Sequence, residues 1–133
     1  MTTVKTMDCR LVRYDENVWN SLPAEPLVAV TDGGAVRQRT HVQTCWDEEA
    51  LYVRFVCEDD HIVADFVNRD DPLYDQDVVE IFLDEEGLGR RYIELEISPR
   101  NVVFDAIVIN RGGTIDVDTG WNADDMDTSV ELS

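Results

Sequence analysis

Apolar and polar residues alternate in short runs along most of the chain, and turn-forming residues interrupt these runs. Such alternation is typical of a strand with one buried face. Strands are therefore predicted at 4–13, 27–31, 39–46, 51–58, 77–83, 91–98, 102–109 and 127–132. Residues 16–22 and 60–66 are each predicted to hold a helical turn. We expect an all-β fold, an antiparallel β-sandwich of the jelly-roll or immunoglobulin-like type with short helical turns.

The loop Asp47–Ala50 sets the register of a first hairpin. A four-residue loop there places Trp46 opposite Leu51 and Cys45 opposite Tyr52. Opposed residues share a face of a sheet. One largely apolar face then consists of Val42, Thr44, Trp46, Leu51, Val53, Phe55 and Cys57. We accordingly expect Trp46 to anchor the core.

A second hairpin is predicted to close over Glu85–Gly89, with Leu83 opposite Arg91. In this register the core face carries Val79, Ile81, Ile93, Leu95 and Ile97. The other face carries Val78, Glu80, Phe82, Tyr92, Glu94 and Glu96. Glu80 then lies directly opposite Glu94. Like charges placed so destabilise a sheet unless a cation, an arginine, a shared proton or a ligand intervenes, so this acidic patch is the most informative feature that the residues alone provide.

The charge of the chain narrows the choice of partners. Its 133 residues include 29 acidic and 11 basic ones, for a formal net charge of −18. Such a surface repels phosphate groups, so nucleic acids and anionic membranes are poor partners. Divalent-cation binding, a high-salt habitat and plain solubility remain as explanations. Hydrophobic residues make up 44% of the chain, and we expect one domain over residues 1–133 with no signal peptide and no membrane span.

Three sequence blocks that begin at Val42 match a known pattern. They read VQTCWDEEALYVRFVCEDD, DDPLYDQDVVEIFLDEE and RRYIELEISPRNVVFDA. They correspond to a W-D-x-x-x-L-Y-V strand pair, an aromatic residue followed by D-x-V-E-I-F, and Y-x-E-x-x-x-S/N-P. Asp15 to Trp19 supplies an earlier Asp-x-x-x-Trp segment. In these features the chain resembles the family 9 carbohydrate-binding modules.

The resemblance implies a β-sandwich that binds a carbohydrate ligand, often the end of a plant polysaccharide chain, and that does not catalyse a reaction. It also implies structural calcium in loops and no organic cofactor. The location that it implies is extracellular or at the cell surface. Modules of this kind serve a glycoside hydrolase or a polysaccharide-capturing protein.

Two ligand contacts carry over from the family pattern. Tyr74, three residues before Asp77, corresponds to an aromatic residue that stacks on a sugar. Glu80 is the glutamate of the D-x-V-E-I-F block, which contacts the ligand. Family members have basic or amide side chains where this chain has Glu94 and Glu96, which we expect to be secondary contacts. The alternatives are a tyrosine packed on its own sheet and glutamates paired with Arg54, Arg91 or another arginine.

The family's second sandwiching aromatic lies in the last third of its domain, and this chain ends at Ser133 before that region. We therefore expect closing strands to be missing, which leaves an unpaired strand edge. The alternative function is a structural or interaction domain that has lost sugar binding and forms a homodimer through that edge. Trp121 is expected either to replace the missing aromatic or to cover the sandwich edge, whereas Trp19 is expected to lie in the core.

Carboxylates are dense in the segment 59–76. Calcium takes six to eight oxygen ligands, and together with the resemblance this density makes five aspartates candidate calcium ligands: Asp59, Asp60, Asp70, Asp71 and Asp75. No EF-hand spacing is present, and the alternative is a charged, solvated loop.

Catalysis has weak support in the sequence. Glu94 and Glu96 are two apart on one strand face, so their carboxyl groups approach the roughly 5–9 Å spacing of glycosidase pairs. Any strand with two outward acids does the same. The chain has no Ser-His-Asp, Cys-His or phosphate-loop pattern, and we expect a binding domain rather than an enzyme.

Overall fold

The computed structural model describes residues 4–133, which form two compact units, one ending at Asp60 and the other beginning at His61. Each unit contains one four-stranded sheet. The all-β prediction is confirmed, since the regular elements within residues 4–133 are eight strands and two short 3₁₀ helices. No helix among the described residues is long and apolar enough to cross a membrane.

The sheet of the first unit is built around one central strand. Its strands are β1 (Arg10–Leu11), β2 (Glu25–Pro26), β3 (Thr40–Trp46) and β4 (Leu51–Cys57). β3 pairs antiparallel with β4 and β2, and parallel with β1. Trp46 is opposite Leu51 and Cys45 is opposite Tyr52, so the predicted register of the first hairpin is confirmed.

The buried residues of β3 lie on the face opposite to the predicted apolar one. Gln43 and Cys45 are buried, whereas Trp46 is 42% exposed, so the prediction that Trp46 anchors the core is wrong. The 3₁₀ helix Glu16–Ser21, within the predicted helical turn 16–22, explains the burial of Gln43. Its amide Nε2 donates to the carbonyl oxygens of Trp19 and Leu22, each at 2.9 Å. A polar residue thus holds this helix on the sheet, and Trp19 is half-buried.

The sheet of the second unit is an antiparallel meander in the order β5–β6–β7–β8. Its strands are β5 (Val79–Leu83), β6 (Arg91–Ile97), β7 (Val103–Asn110) and β8 (Ile115–Asp118). A second 3₁₀ helix, Leu73–Asp75, precedes β5.

The second hairpin is shifted by two residues from the predicted register. Leu83 pairs with Ile93 rather than with Arg91, and Glu80 pairs with Glu96 rather than with Glu94. The loop is longer than predicted because the Asp84 carboxylate accepts hydrogen bonds from the backbone N–H groups of Gly87 and Gly89. Both glycines have a positive φ of 70°, which other residues adopt only with strain. A shift of two keeps every side chain on its predicted face.

The core cluster of the second unit lies on the face that carries the glutamates. Leu73, Phe104 and Ala106 are buried together, and Phe66, Val78 and Val102 pack against them. Phe104 is opposite Glu96 and Ala106 is opposite Glu94, so these residues share one face. On the predicted core face, Leu95 is buried and its neighbours are half-buried. The segment before β5 therefore covers part of a face that the pattern assigned to solvent.

Four further predictions of local structure are wrong. Within residues 4–13 only Arg10–Leu11 forms a strand, residues 27–31 and 127–132 form no strand, and residues 60–66 form no helical turn. β2 and β8 were not predicted. At 27–31 the chain turns, because Gly33 N–H donates to Ala29 O and Ala29 N–H to Gly34 O. β8 follows the Gly112–Gly113 turn, and its alternating sequence Ile-Asp-Val-Asp is a strand signal that the charge obscured.

Candidate functional site

Three glutamates of the second unit, here called the glutamate triad, converge on one face of the sheet. Glu80 lies on β5, and Glu94 and Glu96 lie on β6. One carboxylate oxygen of each lies within 4.8 Å of the others. Glu80 is exposed, Glu94 is half-buried and Glu96 has 0% exposure. The structure thus confirms the acidic patch but places one of its members entirely inside the unit.

The electrostatics of the triad favour a proton or a cation. Burial first, and then the charges of Glu80 and Glu94, raise the pKa of Glu96 to about 8. Burial and the charge of Glu94 also raise the pKa of Glu80. Neither Glu96 carboxylate oxygen has a hydrogen-bond donor as partner among residues 4–133, so the hydrogen bonds with Glu94 and Glu80 that help to raise its pKa require a shared proton. No ion pair described within residues 4–133 includes a triad member. In the described chain the predicted pairing with arginine does not occur.

An open cleft of about 510 Å³ lies beside the triad in the same unit. Its lining residues are Asp70, Pro72, Tyr74, Glu94, Phe104, Val117 and Thr119. Tyr74 and Glu94, two of the predicted contacts, therefore line one cleft. The Tyr74 side chain is 57% exposed, so its ring is available to a ligand.

The position of Tyr74 is set by its neighbours along the chain and across the sheet. The preceding Leu73 is buried in the core cluster and holds the 3₁₀ helix on the sheet. The Phe104 ring lies edge-on to the Tyr74 ring, with a centroid distance of 5.8 Å and an interplanar angle of 90°. Edge-to-face contact is a favourable arrangement of aromatic rings. The alternative prediction was that Tyr74 packs on its own sheet. The ring does contact Phe104 of the sheet, but the side chain is still mostly exposed.

A buried carboxylate on β7, Asp105, holds two loop segments against the sheet. Arg69 forms an ion pair with it, and the backbone N–H of Ala123 donates to Asp105 Oδ2 at 2.7 Å. The backbone N–H of Asp105 in turn donates to Asp70 Oδ1 at 3.1 Å. Burial alone raises the pKa of Asp105, but the hydrogen bonds from Arg69 and Ala123 hold it below its ordinary value. Sequence reasoning missed this group, although an acid inside the apolar run of residues 102–109 was a usable signal.

The five predicted calcium ligands are divided between the two units. In the first unit, the Asp60 carboxylate accepts hydrogen bonds from Arg37 and Gln38, and Gln38 also donates to Asp59. In the second unit, Asp71 accepts from the backbone N–H of Asn68. The remaining two differ in burial, since Asp70 is half-buried and Asp75 is exposed. Among the described residues, the group of three or more acids, histidines or cysteines that can share an ion is the glutamate triad, and the loop calcium stays a prediction.

Trp121, the remaining predicted contact, is half-buried and is not part of the cleft lining. Three cleft-lining residues, Phe104, Pro72 and Thr119, were not predicted. Pro72 and Thr119 lie outside the strands, where the sequence has no periodic pattern that indicates which residues approach each other in the fold.

A family described as carbohydrate family 9 binding domain-like matches residues 13–108, which is most of the chain and includes Tyr74 and the whole triad. The chain belongs to this family. The resemblance seen in the sequence blocks is thereby confirmed, and carbohydrate binding in general is the function that the family indicates. Trp121 lies outside the residues that match the family. No curated protein and no solved structure is significantly similar to the chain.

Proposed function

We propose that the chain binds a neutral carbohydrate in the cleft lined by Tyr74 and Glu94, and that it does so without catalysing a reaction. The observation that carries this proposal is the exposed Tyr74 ring beside a carboxylate in a cleft of about 510 Å³, in a chain of a carbohydrate-binding family. Small-molecule sites commonly have volumes of roughly 300–1,000 Å³.

The chemistry of the cleft fits a sugar. The C–H groups on one face of a sugar ring are apolar and stack on an aromatic ring, whereas the hydroxyl groups at its rim need hydrogen-bond partners. The Glu94 carboxylate is a strong acceptor for such hydroxyls, and Thr119 contributes a hydroxyl at the cleft. The net charge of −18 disfavours anionic saccharides, so neutral sugars are the expected class.

The wider setting of this binding is also part of the proposal. The family resemblance supports a polysaccharide chain end as the ligand and an accessory role beside a glycoside hydrolase or a polysaccharide-capturing protein. Such a module acts by raising the local concentration of its partner on the polysaccharide. An extracellular or cell-surface location would follow.

The test is isothermal titration of the chain with glucose, cellobiose, xylo-oligosaccharides and a galactose series, each in EDTA and in calcium chloride. We expect saturable binding of at least one sugar with a Kd at or below about 1 mM. Tyr74→Ala removes the stacking surface and should abolish the binding heat, whereas Tyr74→Phe keeps the ring and should retain it. Trp46→Ala, at an exposed aromatic residue of the first unit, is the control outside the cleft lining. No heat with any sugar, in protein shown to be folded by circular dichroism, would refute the proposal.

A second candidate function is an interaction domain that pairs through a strand edge. Among the described residues β8 pairs on one side only, with β7, and its Ile115 and Val117 side chains are exposed. Strand edges of this kind can add a strand from another chain. A dimer detected by light scattering and dissociated by Ile115→Lys, at an exposed β8 residue outside the cleft lining, would favour this candidate.

A further inference from the structure

The spacing of the glutamate triad suits a single metal ion. Ca²⁺ binds oxygen ligands at about 2.4 Å, so two oxygens on one ion are at most roughly 4.8 Å apart. One carboxylate oxygen each from Glu80, Glu94 and Glu96 meets this limit without any movement of the backbone. The three residues lie on two adjacent paired strands, β5 and β6, which hold the spacing.

A second and independent observation is the state of Glu96. This side chain is completely buried, and among residues 4–133 no donor group bonds either of its carboxylate oxygens. The polar groups that contact it are the carboxyl groups of Glu80 and Glu94, which are acceptors unless a proton is shared. Buried polar groups in folded proteins are nearly always satisfied, because an unsatisfied one costs free energy. Asp105, in the same sheet, is equally buried, but its carboxylate forms an ion pair with Arg69 and accepts a hydrogen bond from the backbone N–H of Ala123. A cation among the triad oxygens would neutralise the buried Glu96 carboxylate, as Arg69 neutralises Asp105.

The surroundings of the triad permit an ion to enter. Glu80 is exposed, and Glu94 lines the open cleft. Neither an arginine nor a lysine forms an ion pair with any of the three glutamates in the described part of the chain. We propose that Glu80, Glu94 and Glu96 form a binding site for one divalent cation, with calcium as the preferred ion.

The ligand set selects the class of ion. All three donors are carboxylate oxygens, which suit hard cations, whereas zinc and copper sites use nitrogen and sulfur ligands. Calcium accepts irregular geometry and six to eight oxygens, so water or other oxygen donors complete its shell. This site is separate from the predicted loop site. It shares Glu94 with the proposed sugar cleft, but binding of the ion needs no sugar.

The experiment is a calcium titration of the full chain after removal of metal with a chelator, at constant ionic strength and without sugar. We expect one binding event per chain that depends on the triad, with a Kd between roughly 1 µM and 1 mM, the range of protein calcium sites of moderate affinity. Glu96→Gln and Glu80→Gln each remove a charged ligand and should weaken binding at least tenfold. Glu85→Gln, an exposed glutamate in the loop of the same hairpin, is the matched control and should bind as the unaltered chain does.

Variants of the loop aspartates separate the two sites. Asp60→Asn and Asp71→Asn should leave the titration unchanged if the triad binds the ion. The proposal is overturned if these variants abolish binding, if Glu96→Gln and Glu80→Gln bind calcium normally, or if calcium, magnesium and manganese all fail to bind at about 10 mM. Glu80 is exposed, so Glu80→Gln keeps the test decisive even if Glu96→Gln does not fold. Because no sugar is present, failure here is distinct from failure of sugar binding.

Discussion

At the residue scale, Glu96 is the side chain that most strongly links structure to solution behaviour. It is a carboxyl group inside a folded unit, next to two others of its kind. Ionisation without a cation costs free energy there, because the charge is desolvated and lies beside other carboxyl groups. This is the cause of its raised pKa.

The first prediction concerns the pH dependence of stability in metal-free protein. The pKa of Glu96 is about 8 in the fold, above its ordinary value of 4.5. The stabilisation that results is complete below about pH 4.5 and is lost as the pH rises through about 8, because the folded chain must then lose a proton that it holds more tightly than the unfolded chain does. We therefore expect the free energy of unfolding, measured with urea in EDTA, to fall between about pH 5 and pH 9.

The control for this prediction is Glu96→Gln, which cannot ionise and should flatten that fall. Glu85→Gln should keep the slope of the unaltered chain. If the curves of the unaltered chain and of Glu96→Gln run parallel, Glu96 does not titrate in this range.

Sequence reasoning reached part of this site. The alternation of residues 77–83 and 91–98 was sufficient to place the three glutamates on one face, and the family pattern singled out Tyr74. It did not predict that Glu96 is buried, because Phe66 and Leu73, which pack with Phe104 on the same face of the sheet, come from a segment with no regular pattern. Burial of this kind depends on tertiary packing, which local periodicity does not report.

At the element scale, loop chemistry decides the details that side-chain alternation leaves open. The first hairpin was predicted in the correct register because four loop residues and an apolar face agreed on one solution. In the second hairpin, the hydrogen bonds from Gly87 and Gly89 to Asp84 lengthen the loop and move the pairing by two residues. Each side chain nevertheless lies on its predicted face of the sheet, because side chains alternate with a period of two and the shift is two residues.

The second prediction concerns the ion pair between Arg69 and Asp105 of β7. Arg69→Ala leaves the Asp105 carboxylate buried and without its cation, and we expect a loss of about 3 kcal/mol in the free energy of unfolding. This is the low end of the range for broken buried pairs, because the Arg69 side chain is 42% exposed. Asp105→Asn in the Arg69→Ala background removes the uncompensated charge and should recover part of the loss. Urea denaturation of the two variants measures both effects, and equal stability would show that the charge of Asp105 is not the cause.

At the scale of the whole molecule, charge and cooperativity are the properties to test. The net charge of −18 follows directly from the sequence and makes binding to phosphate-rich partners electrostatically unfavourable. The division into two compact units was not predicted, because strand patterns alone do not report which sheets share a core.

The third prediction is that the chain unfolds as one domain. Trp19 and Trp46 lie in the first unit and Trp121 in the second. A variant with Trp19→Phe and Trp46→Phe reports fluorescence from the second unit alone. We expect its urea transition to coincide with that seen by circular dichroism, as in two-state unfolding. Separate midpoints for the two signals would show that the units unfold independently.

The central claim is that the cleft beside Tyr74 is the carbohydrate site, and the most direct test is a titration of ¹⁵N-labelled protein with the sugar that gives heat, followed by amide chemical shifts. We predict that the shifts which change in proportion to saturation come from Tyr74, Glu94, Phe104 and Thr119, and that Tyr74→Ala abolishes them. Shift changes confined to residues outside the cleft, or unaffected by Tyr74→Ala, would contradict the account and place the ligand elsewhere.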